Sequence, residues 1–306
     1  MKKAIITGAN GFVGSAVTKE LVNRGVEVLA LDMKGHDGNL PENQACSFAE
    51  FDLAHPFEIK ERAASFGADI FYHFAWAGSA GKARTNAGLQ LDNAKWTVDC
   101  LQLAKEIGCK RFVNAGSIME KETVEAVFSE GNRPGLPYIY GSGKLVAHTI
   151  CKAVAADIGM DIVWAMITNA YGVGEKSARL INATIRKCIH HISPQFTSGV
   201  QNYDFVYIDD VARAFFLIGE KGKPFCEYLI GSSRARPLKD FLLEMREAIA
   251  PDLDFVFGEV PYTGVLQPLD DFDCSLTERD TGFRAEVGFG EGCRRTMEWM
   301  ISDGEE

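Results

Sequence analysis

Residues 7–14 read TGANGFVG, with glycines at positions 8, 11 and 14, and they follow the apolar stretch KKAII near the start of the chain. Two interpretations fit a glycine triplet of this spacing. It is either an ordinary tight turn or a loop whose backbone cradles a phosphate group. The residues on both sides of the triplet decide between them.

The flanking sequence favours the phosphate cradle. The strand-like KKAIIT precedes the triplet, and FVGSAVTKELVNRG, which has a helical pattern, follows it. In such a unit Gly8 permits the turn, Gly11 lets the backbone approach a pyrophosphate, and Gly14 allows close packing of helix and strand. Asp32 ends the second predicted strand, where a carboxylate accepts hydrogen bonds from both ribose hydroxyls of adenosine and repels a 2′-phosphate. The sequence therefore predicts a dinucleotide site that prefers NAD to NADP.

The composition of the chain excludes several classes of partner. Its 306 residues carry 32 Lys and Arg against 42 Asp and Glu, a net charge of -10, which is the wrong sign for binding a nucleic-acid backbone. The N-terminus lacks the apolar run of a secretory signal, and no run is long enough to span a membrane. Eight scattered cysteines without C-x-x-C spacing indicate reduced thiols, so we expect a cytoplasmic protein. His190 and His191 have no partner at ligand spacing, so we expect no metal site.

Short apolar runs alternate with helical patterns through the first half of the chain. Strands are predicted at AIIT, VEVLAL, CSFAEFD, DIFYHFA, CKRFVNAG and DIVWAMI, and helices near residues 12–24, 57–66, 87–108 and 139–158. A loop is expected from the fifth of these strands to about residue 137. The alternation predicts an α/β fold, a Rossmann-type doubly wound parallel sheet with helices on both faces.

The alternation becomes less regular after about residue 172. Helices are expected near residues 177–191, from 209, near 237–249 and at the C-terminal GCRRTMEWMI, and strands at YDFVYI and EYLIG. We therefore expect an NAD-binding domain over residues 1–171. A smaller substrate-binding lobe is expected over residues 172–306, with some segments returning to the first domain.

Tyr140 and Lys144 are spaced so that both side chains lie on one face of a predicted helix. Ser117 ends the fifth strand, 23 residues before Tyr140. A phenol titrates near 10, and an ammonium group beside it favours the phenolate, so Tyr140 is a candidate to exchange a proton near neutral pH. A serine hydroxyl is able to hold the substrate oxygen during that exchange.

Seven stretches carry a family resemblance: TGANGFVG, HFAW, LDNAKW, NAGS, YGSGK, NAYGVG and YDFVYIDDVARA. Together with the C-terminal GFRAEVGFGEGCRRTMEWM, they resemble the extended short-chain dehydrogenase/reductases of the nucleotide-sugar epimerase and dehydratase group. The resemblance covers nearly the whole chain. It implies an enzyme that binds NAD and a nucleotide sugar, and a homodimer formed by two long helices, here near residues 87–108 and 139–158.

The resemblance also implies roles for individual residues. The implied catalytic residues are Ser117, Tyr140, Lys144 and, as a helper on the proton path, Asn93. The implied cofactor-binding residues are Gly8, Asn10, Gly11, Phe12, Val13, Gly14, Asp32, Asp52, Leu53, Phe74, Ala75, Tyr140 and Lys144. The implied substrate-binding residues are Ser117, Asn169, Lys176, Arg179 and Tyr203. For Asp52 and Asn93, an exposed cap and a polar contact inside a helix stay open as alternatives.

The chain departs from the family at the places that usually hold the diphosphate. Where the family has arginines, this sequence has Met166, Tyr203 and either Tyr262 or Thr263. Neither a thioether nor a phenol replaces the charged fork of an arginine. The alternative ligands are basic residues of the second lobe, each of which also suits a solvated surface: Lys176, Arg179, Arg234 and Arg236. The segment IMEKETVEA after Ser117 departs as well, so we expect a different choice of substrate.

Three functions remain open on the sequence. The first is an NAD-dependent epimerase that oxidises a sugar carbinol at C4 of a nucleotide sugar and returns the hydride to the other face. The second is an NAD(P)H-dependent reductase of a 4-keto-deoxysugar nucleotide, which uses the same residues. The third is a dinucleotide-binding regulator without turnover, against which the intact Ser117, Tyr140 and Lys144 argue.

Overall fold

The computed structural model describes residues 1–262 and 264–303. Its strands are β1 (Lys3–Thr7), β2 (Glu27–Asp32), β3 (Cys46–Glu50), β4 (Ile70–His73), β5 (Arg111–Ser117), β6 (Asp161–Ile167), β7 (Asn169–Tyr171), β8 (Gln195–Phe196), β9 (Asn202–Tyr203), β10 (Phe205–Tyr207), β11 (Glu227–Ile230), β12 (Arg236–Pro237) and β13 (Val256–Phe257). Its α-helices are α1 (Phe12–Asn23), α2 (Lys60–Phe66), α3 (Ala87–Glu106), α4 (Met119–Phe128), α5 (Tyr138–Ile158), α6 (Leu180–Ile189), α7 (Ile208–Lys221), α8 (Leu238–Ile249), α9 (Ser275–Thr281) and α10 (Phe289–Ser302). Short 3-10 helices cover Pro56–Ile59, Lys82–Thr85 and Leu269–Phe272.

Seven parallel strands build the central sheet, in the order β11-β6-β5-β4-β1-β2-β3. The order runs from β1 to β3 in one direction and from β4 to β6 in the other, which is the reversal that defines a doubly wound sheet. Because all strands are parallel, their carboxyl ends lie on one edge, where Thr7, Asp32 and Ser117 stand. The predicted Rossmann-type fold is confirmed.

The apolar runs of the sheet are buried on both faces. In β1, Ala4 and Ile6 belong to one core cluster and Ile5 to the other. Helices α1 and α7 pack together on the first face, and α3 and α5 on the second. Strands covered on both sides read as continuous apolar runs, which explains why the sequence shows them so clearly.

The second half of the chain contributes to the sheet and forms smaller strand pairs. Strand β11 pairs with β6 at the edge of the main sheet, while β7 pairs with β10, β9 with β12, and β8 with β13. The single strand expected at YDFVYI is wrong, because the buried Asp204 separates β9 from β10. Its carboxylate accepts hydrogen bonds from the backbone N–H, at 2.8 Å, and the hydroxyl of Ser232. The predicted division between residues 171 and 172 stays a prediction.

The loop expected between β5 and residue 137 is also wrong, because α4 occupies half of it. The buried residues of α4 are Glu120, Thr123 and Ala126, which recur every third position. The helix docks on α5 at Gly141, where an added Cβ would lie 2.0 Å from Thr123 Oγ1. The other predicted helices begin and end within about three residues of their expected bounds. Within the described part of the chain, no helix has both the length and the apolar character needed to cross a membrane.

Gly14→Ala is expected to destabilise the protein, because its Cβ would lie 2.0 Å from the carbonyl oxygen of Gly8, a backbone atom that no rotamer change can move. Overpacking costs about 1–3 kcal/mol, so we expect a loss of about 2 kcal/mol or more in the free energy of unfolding by urea titration. Gly38→Ala is the control, since nothing lies within 4 Å of its added Cβ. Equal stabilities of the two variants would contradict the close packing of this turn.

Candidate active site

The glycine turn joins β1 to α1 and leaves the start of the helix open. Gly8 has a φ of +67°, and a Cβ there would lie 2.7 Å from the backbone nitrogen of Ala75. Gly11 precedes the first residue of α1 and provides no side-chain cap, and the first turn has no acidic residue. The unpaired N–H groups of Phe12, Val13 and Gly14 therefore suit a pyrophosphate, as predicted for the cofactor.

Asp32 stands beside this turn at the end of β2. One carboxylate oxygen accepts the N–H of Asn10 and the other the N–H of Met33, both at 2.8 Å. Each oxygen keeps a further lone pair for a ribose hydroxyl. Asn10 in turn accepts two hydrogen bonds from Asn39, one from its backbone N–H at 2.7 Å and one from its side-chain amide at 2.9 Å, which fix the turn against the loop after β2.

The residues after β3 and β4 line the same edge of the sheet. Asp52 is exposed and caps a short turn, accepting hydrogen bonds from the Ala54 N–H and from the His55 ring, both at 2.9 Å. The hydrogen bond from His55 holds the pKa of Asp52 below its ordinary value. This is the alternative left open for Asp52, and its contact with adenine, like that of the half-buried Leu53, stays a prediction.

Phe74 and Ala75 are held beside the glycine turn by contacts with Thr7 and Phe215. The Phe74 N–H donates to the Thr7 carbonyl at 3.0 Å, and its ring meets that of Phe215 edge-on at 4.7 Å. The Ala75 N–H reaches Thr7 Oγ1 at 3.5 Å. Thr7 also hydrogen-bonds the buried His73 at 2.8 Å, and burial lowers the pKa of that histidine to about 3. A neutral, hydrogen-bonded layer thus supports the predicted cofactor residues.

Ser117, Tyr140 and Lys144 come together at the end of β5. The Ser117 hydroxyl accepts the Met119 N–H at 3.2 Å and lies near enough to the Tyr140 phenol to lower its pKa. One turn further along α5, Lys144 Nζ donates to the carbonyl of Ala115 at 2.9 Å and lies 3.8 Å from the centre of the Trp76 ring. Tyr140 and Lys144 are only 8% and 5% exposed, so their chemistry is set by the protein rather than by bulk water.

The charges around Tyr140 differ from those expected. Burial raises the pKa of Tyr140, and the positive charges that oppose this rise come from Arg84 and Arg179, whereas the sequence pointed to Lys144. Burial lowers the pKa of Lys144 to about 7, against the nearby charge of Glu120. Lys144 is thus poised to gain or lose a proton near neutral pH.

Asn93 is fully engaged in supporting the segment after β4. Its amide oxygen accepts the Ala77 N–H, and its amide nitrogen donates to the carbonyls of Ala77 and Leu89, all at 2.8 Å. With 1% exposure it makes the polar helix contact that the sequence left open as the alternative. Its place on the proton path stays a prediction.

A buried carboxylate that the sequence did not point to lies beneath Ser117. Glu120 accepts hydrogen bonds from the Ser117 N–H at 2.9 Å, the Trp164 indole at 3.1 Å and the His148 ring at 2.8 Å. His148 stacks on Trp164 and also contacts Glu227 at 3.5 Å. Burial alone lowers the pKa of His148, but its bonds to Glu120 and Glu227 outweigh burial and raise it to about 9. The network fixes the residue that carries the catalytic hydroxyl.

Of the predicted substrate residues, Arg179 is the one whose charge reaches Tyr140. Asn169 hydrogen-bonds the Asp204 carbonyl at 3.1 Å, and Lys176 pairs with Asp303 at 3.5 Å on the surface. Tyr203 stacks on Phe205, and its pKa is raised by burial to about 12. Substrate contacts for these residues stay predictions.

The positions without arginine hold apolar or aromatic side chains. Met166 is buried, and the Tyr262 hydroxyl donates to the Val265 carbonyl at 2.6 Å, while Thr263 lies outside the described residues. Arg236 pairs with Glu244 and lies over a phenylalanine ring, so its charge is already matched.

Arg84 and Glu122 complete the site, and sequence reasoning missed both. Arg84 lies on the 3-10 helix Lys82–Thr85, with its guanidinium carbon 4.2 Å from the centre of the Tyr140 ring. Glu122 accepts a 3.4 Å hydrogen bond from the Tyr138 hydroxyl, and burial raises its pKa. The sequence signal that could have indicated Arg84 was its position alone, since a basic residue after β4 lies at the edge of the sheet where the parallel strands end. Among the described residues, no group of His, Cys, Asp and Glu side chains is arranged to hold a metal.

Glu120→Gln is expected to destabilise the protein by about 2 kcal/mol near neutral pH, because a charged acceptor of His148 is lost while an amide oxygen still serves Ser117 and Trp164. The pKa of His148, about 9 when folded, exceeds its ordinary 6.5, so the pair adds stability below about pH 6.5 and loses it as pH rises through about 9. Urea titrations from about pH 6 to 9.5 should show a weaker pH dependence in the variant. Glu125→Gln, on the exposed side of α4, is the control, and identical profiles of all three proteins would contradict the coupling.

Known proteins share this fold and sequence pattern. The model of the NAD dependent epimerase/dehydratase family matches residues 4–231. A probable dTDP-glucose 4,6-dehydratase of Sinorhizobium fredii is 25% identical, over 99% of this chain and 93% of its own. The structure of a UDP-N-acetylglucosamine 4-epimerase from Methanobrevibacter ruminantium has a TM-score of 0.83 at 19% identity and covers 99% of both chains. That of the Bordetella bronchiseptica enzyme WbmF with NAD+ has a TM-score of 0.77 at 20% identity, over 99% of this chain and 93% of the other.

The match with the family model covers most of the chain and includes the glycine turn, Asp32 and the Ser117, Tyr140 and Lys144 set. It confirms the resemblance and the NAD cofactor that the sequence predicted. The chain belongs to the NAD-dependent epimerase/dehydratase family.

Proposed function

We propose that the protein is an epimerase that inverts C4 of a nucleotide sugar. The observation that carries this proposal is the buried set of Ser117, Tyr140 and Lys144 at the same sheet edge as the glycine turn and Asp32. NAD, when bound, accepts a hydride from the carbinol carbon and gives it back. The residues of this chain need only hold the sugar and move one proton.

Tyr140 takes the proton of the sugar hydroxyl and returns it. Arg84 and Arg179 stabilise the phenolate, since their positive charges oppose the effect of burial on its pKa. Ser117, whose hydroxyl lowers the pKa of Tyr140, holds the sugar hydroxyl, and Lys144, with a pKa of about 7, is available to exchange protons with the tyrosine.

Asp32 supports epimerisation over reduction. We assign its carboxylate, at the end of β2 beside the glycine turn, to the adenosine ribose, where it would repel the 2′-phosphate of NADPH, the usual reductant of biosynthesis. An epimerase regenerates its cofactor in each turnover, so tight retention of NAD costs it nothing, whereas a reductase exchanges cofactor in each turnover.

A 4,6-dehydratase is the second candidate, because Glu122 supplies an extra acid near the site. Elimination of water requires a group that protonates the leaving hydroxyl, and a carboxyl group whose pKa is raised by burial is suited to that task. The Sinorhizobium relative is named as a probable enzyme of this kind. Glu122 is held by Tyr138 and lies near Arg84, which in turn contacts the Tyr140 ring.

The proposal is tested by the cofactor that the protein retains and by the product it makes. Denatured protein should release about one NAD per chain, and the native protein should convert UDP- or dTDP-hexoses to their 4-epimers without added cofactor. Tyr140→Phe should retain NAD but lose about a hundredfold or more in kcat, since acid-base catalysis contributes that much. Tyr228→Phe, at the start of β11 with its hydroxyl on Lys223 and Asp280, is the control and should lose less than tenfold.

Each other outcome identifies an alternative. A 4-keto-6-deoxy product indicates the dehydratase, and an empty protein that oxidises NADH or NADPH with a 4-keto sugar indicates the reductase. Retained NAD without turnover of any hexose tested indicates the binding protein. Turnover by Tyr140→Phe within about tenfold of the original, roughly 1.4 kcal/mol of barrier, contradicts the assigned acid-base role.

We also propose that two chains form a homodimer through α3 and α5. These helices pack closely at Gly143, where an added Cβ would lie 2.9 Å from the Gln90 carbonyl. Each presents an exposed apolar side chain, Leu91 at 59% and Ile150 at 45%. A pair of such helices from each chain gives a four-helix interface.

Light scattering should give about twice the 33.6 kDa mass of one chain at micromolar concentration. Ile150→Glu places a charge in the interface and should shift the protein to a monomer. Ile301→Glu, at a 59% exposed position on α10, is the control and should stay dimeric. A monomeric original protein would remove the proposal.

A further inference from the structure

Arg84 carries a charge in the site that the protein itself does not neutralise. Its side chain is half-buried, and its one hydrogen bond among the described residues runs from Nη1 to the Ser79 carbonyl at 3.3 Å. No carboxylate of the described chain lies within 4 Å of it. A guanidinium has five N–H donors in a planar fork that matches a carboxylate or phosphate, so most of its hydrogen-bonding capacity is unused.

A second cation points to the same place. Arg179 precedes α6, which has no side-chain cap and no acidic residue in its first turn. Its charge acts on both Arg84 and Tyr140, and its only ion pair in the described residues is with Glu175 at 3.8 Å. Glu122 also lies near Arg84, but one of its oxygens already accepts a hydrogen bond from Tyr138. Arg84 thus lies against Tyr140, and the charge of Arg179, from a separate element, acts on both residues.

The position of Arg84 identifies the part of the substrate that it meets. Its guanidinium lies against the ring of Tyr140, the residue whose hydroxyl meets the reacting carbinol. In a hexose oxidised at C4, the substituent on C5 adjoins the reacting carbon, whereas the diphosphate on C1 lies across the ring. An anion at C5 is therefore nearer to Arg84 than a phosphate is.

We propose that Arg84 and Arg179 bind a carboxylate on C5 of the reacting sugar, which makes the substrate a nucleotide-linked uronic acid. This inference rests on the proposed chemistry at C4. Desolvated, bidentate arginine–carboxylate pairing discriminates strongly against a neutral hydroxymethyl group, because the neutral sugar leaves the guanidinium unpaired. The carboxylate also gives Arg84 a direct ion pair, which no carboxylate of the described residues provides.

The test is a binding measurement on the NAD-loaded protein by titration calorimetry. The probes are UDP-glucuronate and UDP-glucose, the corresponding dTDP sugars, and UDP and dTDP alone. The glucuronate of at least one base should bind about tenfold or more tightly than its glucose partner, which equals about 1.4 kcal/mol. Arg84→Gln should remove this difference, while its affinity for the free nucleotide stays within about twofold. Arg84→Lys, which keeps the charge but not the fork, should retain part of the preference.

Several results would overturn the inference. The first is equal affinity of the original protein for the acidic and the neutral sugars, and the second is no binding of any sugar nucleotide. The third is an Arg84→Gln variant that loses affinity for UDP or dTDP itself, which would assign the arginine to the diphosphate. Arg133→Gln, at an exposed position, is the control and should bind like the original. Epimerisation of neutral hexoses without a preference for glucuronate overturns this inference and leaves the proposed function intact. A clear preference for glucuronate without turnover of any sugar supports this inference and contradicts the proposed function.

Discussion

The close approach of the first turn to the end of β4 sets the geometry of the site. Gly8 reaches the backbone of Ala75 because it has a positive φ and no Cβ. The contact holds the carboxyl ends of β1 and β4 together, so the segment after β4 leaves the sheet next to the glycine turn. Trp76 and Arg84 lie on that segment, and both contact side chains of α5. The glycine turn and the residues around Tyr140 and Lys144 therefore form one packed unit.

The site separates charges that the protein satisfies from charges that it leaves for a ligand. Below Ser117, Glu120 and His148 are buried and hydrogen-bonded to each other, and Glu227 faces the same histidine. Such a network fixes its members in place, because moving one of them leaves the others unpaired in a low dielectric. Beside Tyr140, the guanidinium of Arg84 donates one hydrogen bond to the described residues, to the Ser79 carbonyl at 3.3 Å. The Glu120–His148 network therefore has a structural role, whereas the guanidinium of Arg84 keeps donors for a ligand.

The sequence was sufficient to predict an element wherever its buried residues form a regular apolar pattern. The strands of the sheet and the glycine turn are predicted because both faces of the sheet are covered and because the turn needs glycine at fixed positions. Helix α4 was missed because two of its three buried side chains, Glu120 and Thr123, are polar, so no apolar stripe marks it. The break at Asp204 depends on hydrogen bonds from a serine 28 residues away. The position of Arg84 depends on the path of the loop that carries it. Contacts distant in sequence leave no local periodicity.

The docking of α4 at Gly141 ties the segment after β5 to the helix that follows it. Without a Cβ, Gly141 lets Thr123 and the Met119 carbonyl press against the helix that carries Tyr140 and Lys144. The segment and the glycine are therefore complementary surfaces. A larger side chain at position 141 would push α4 away from α5, so a graft of residues 118–137 into another protein would have to bring the start of α5 with it.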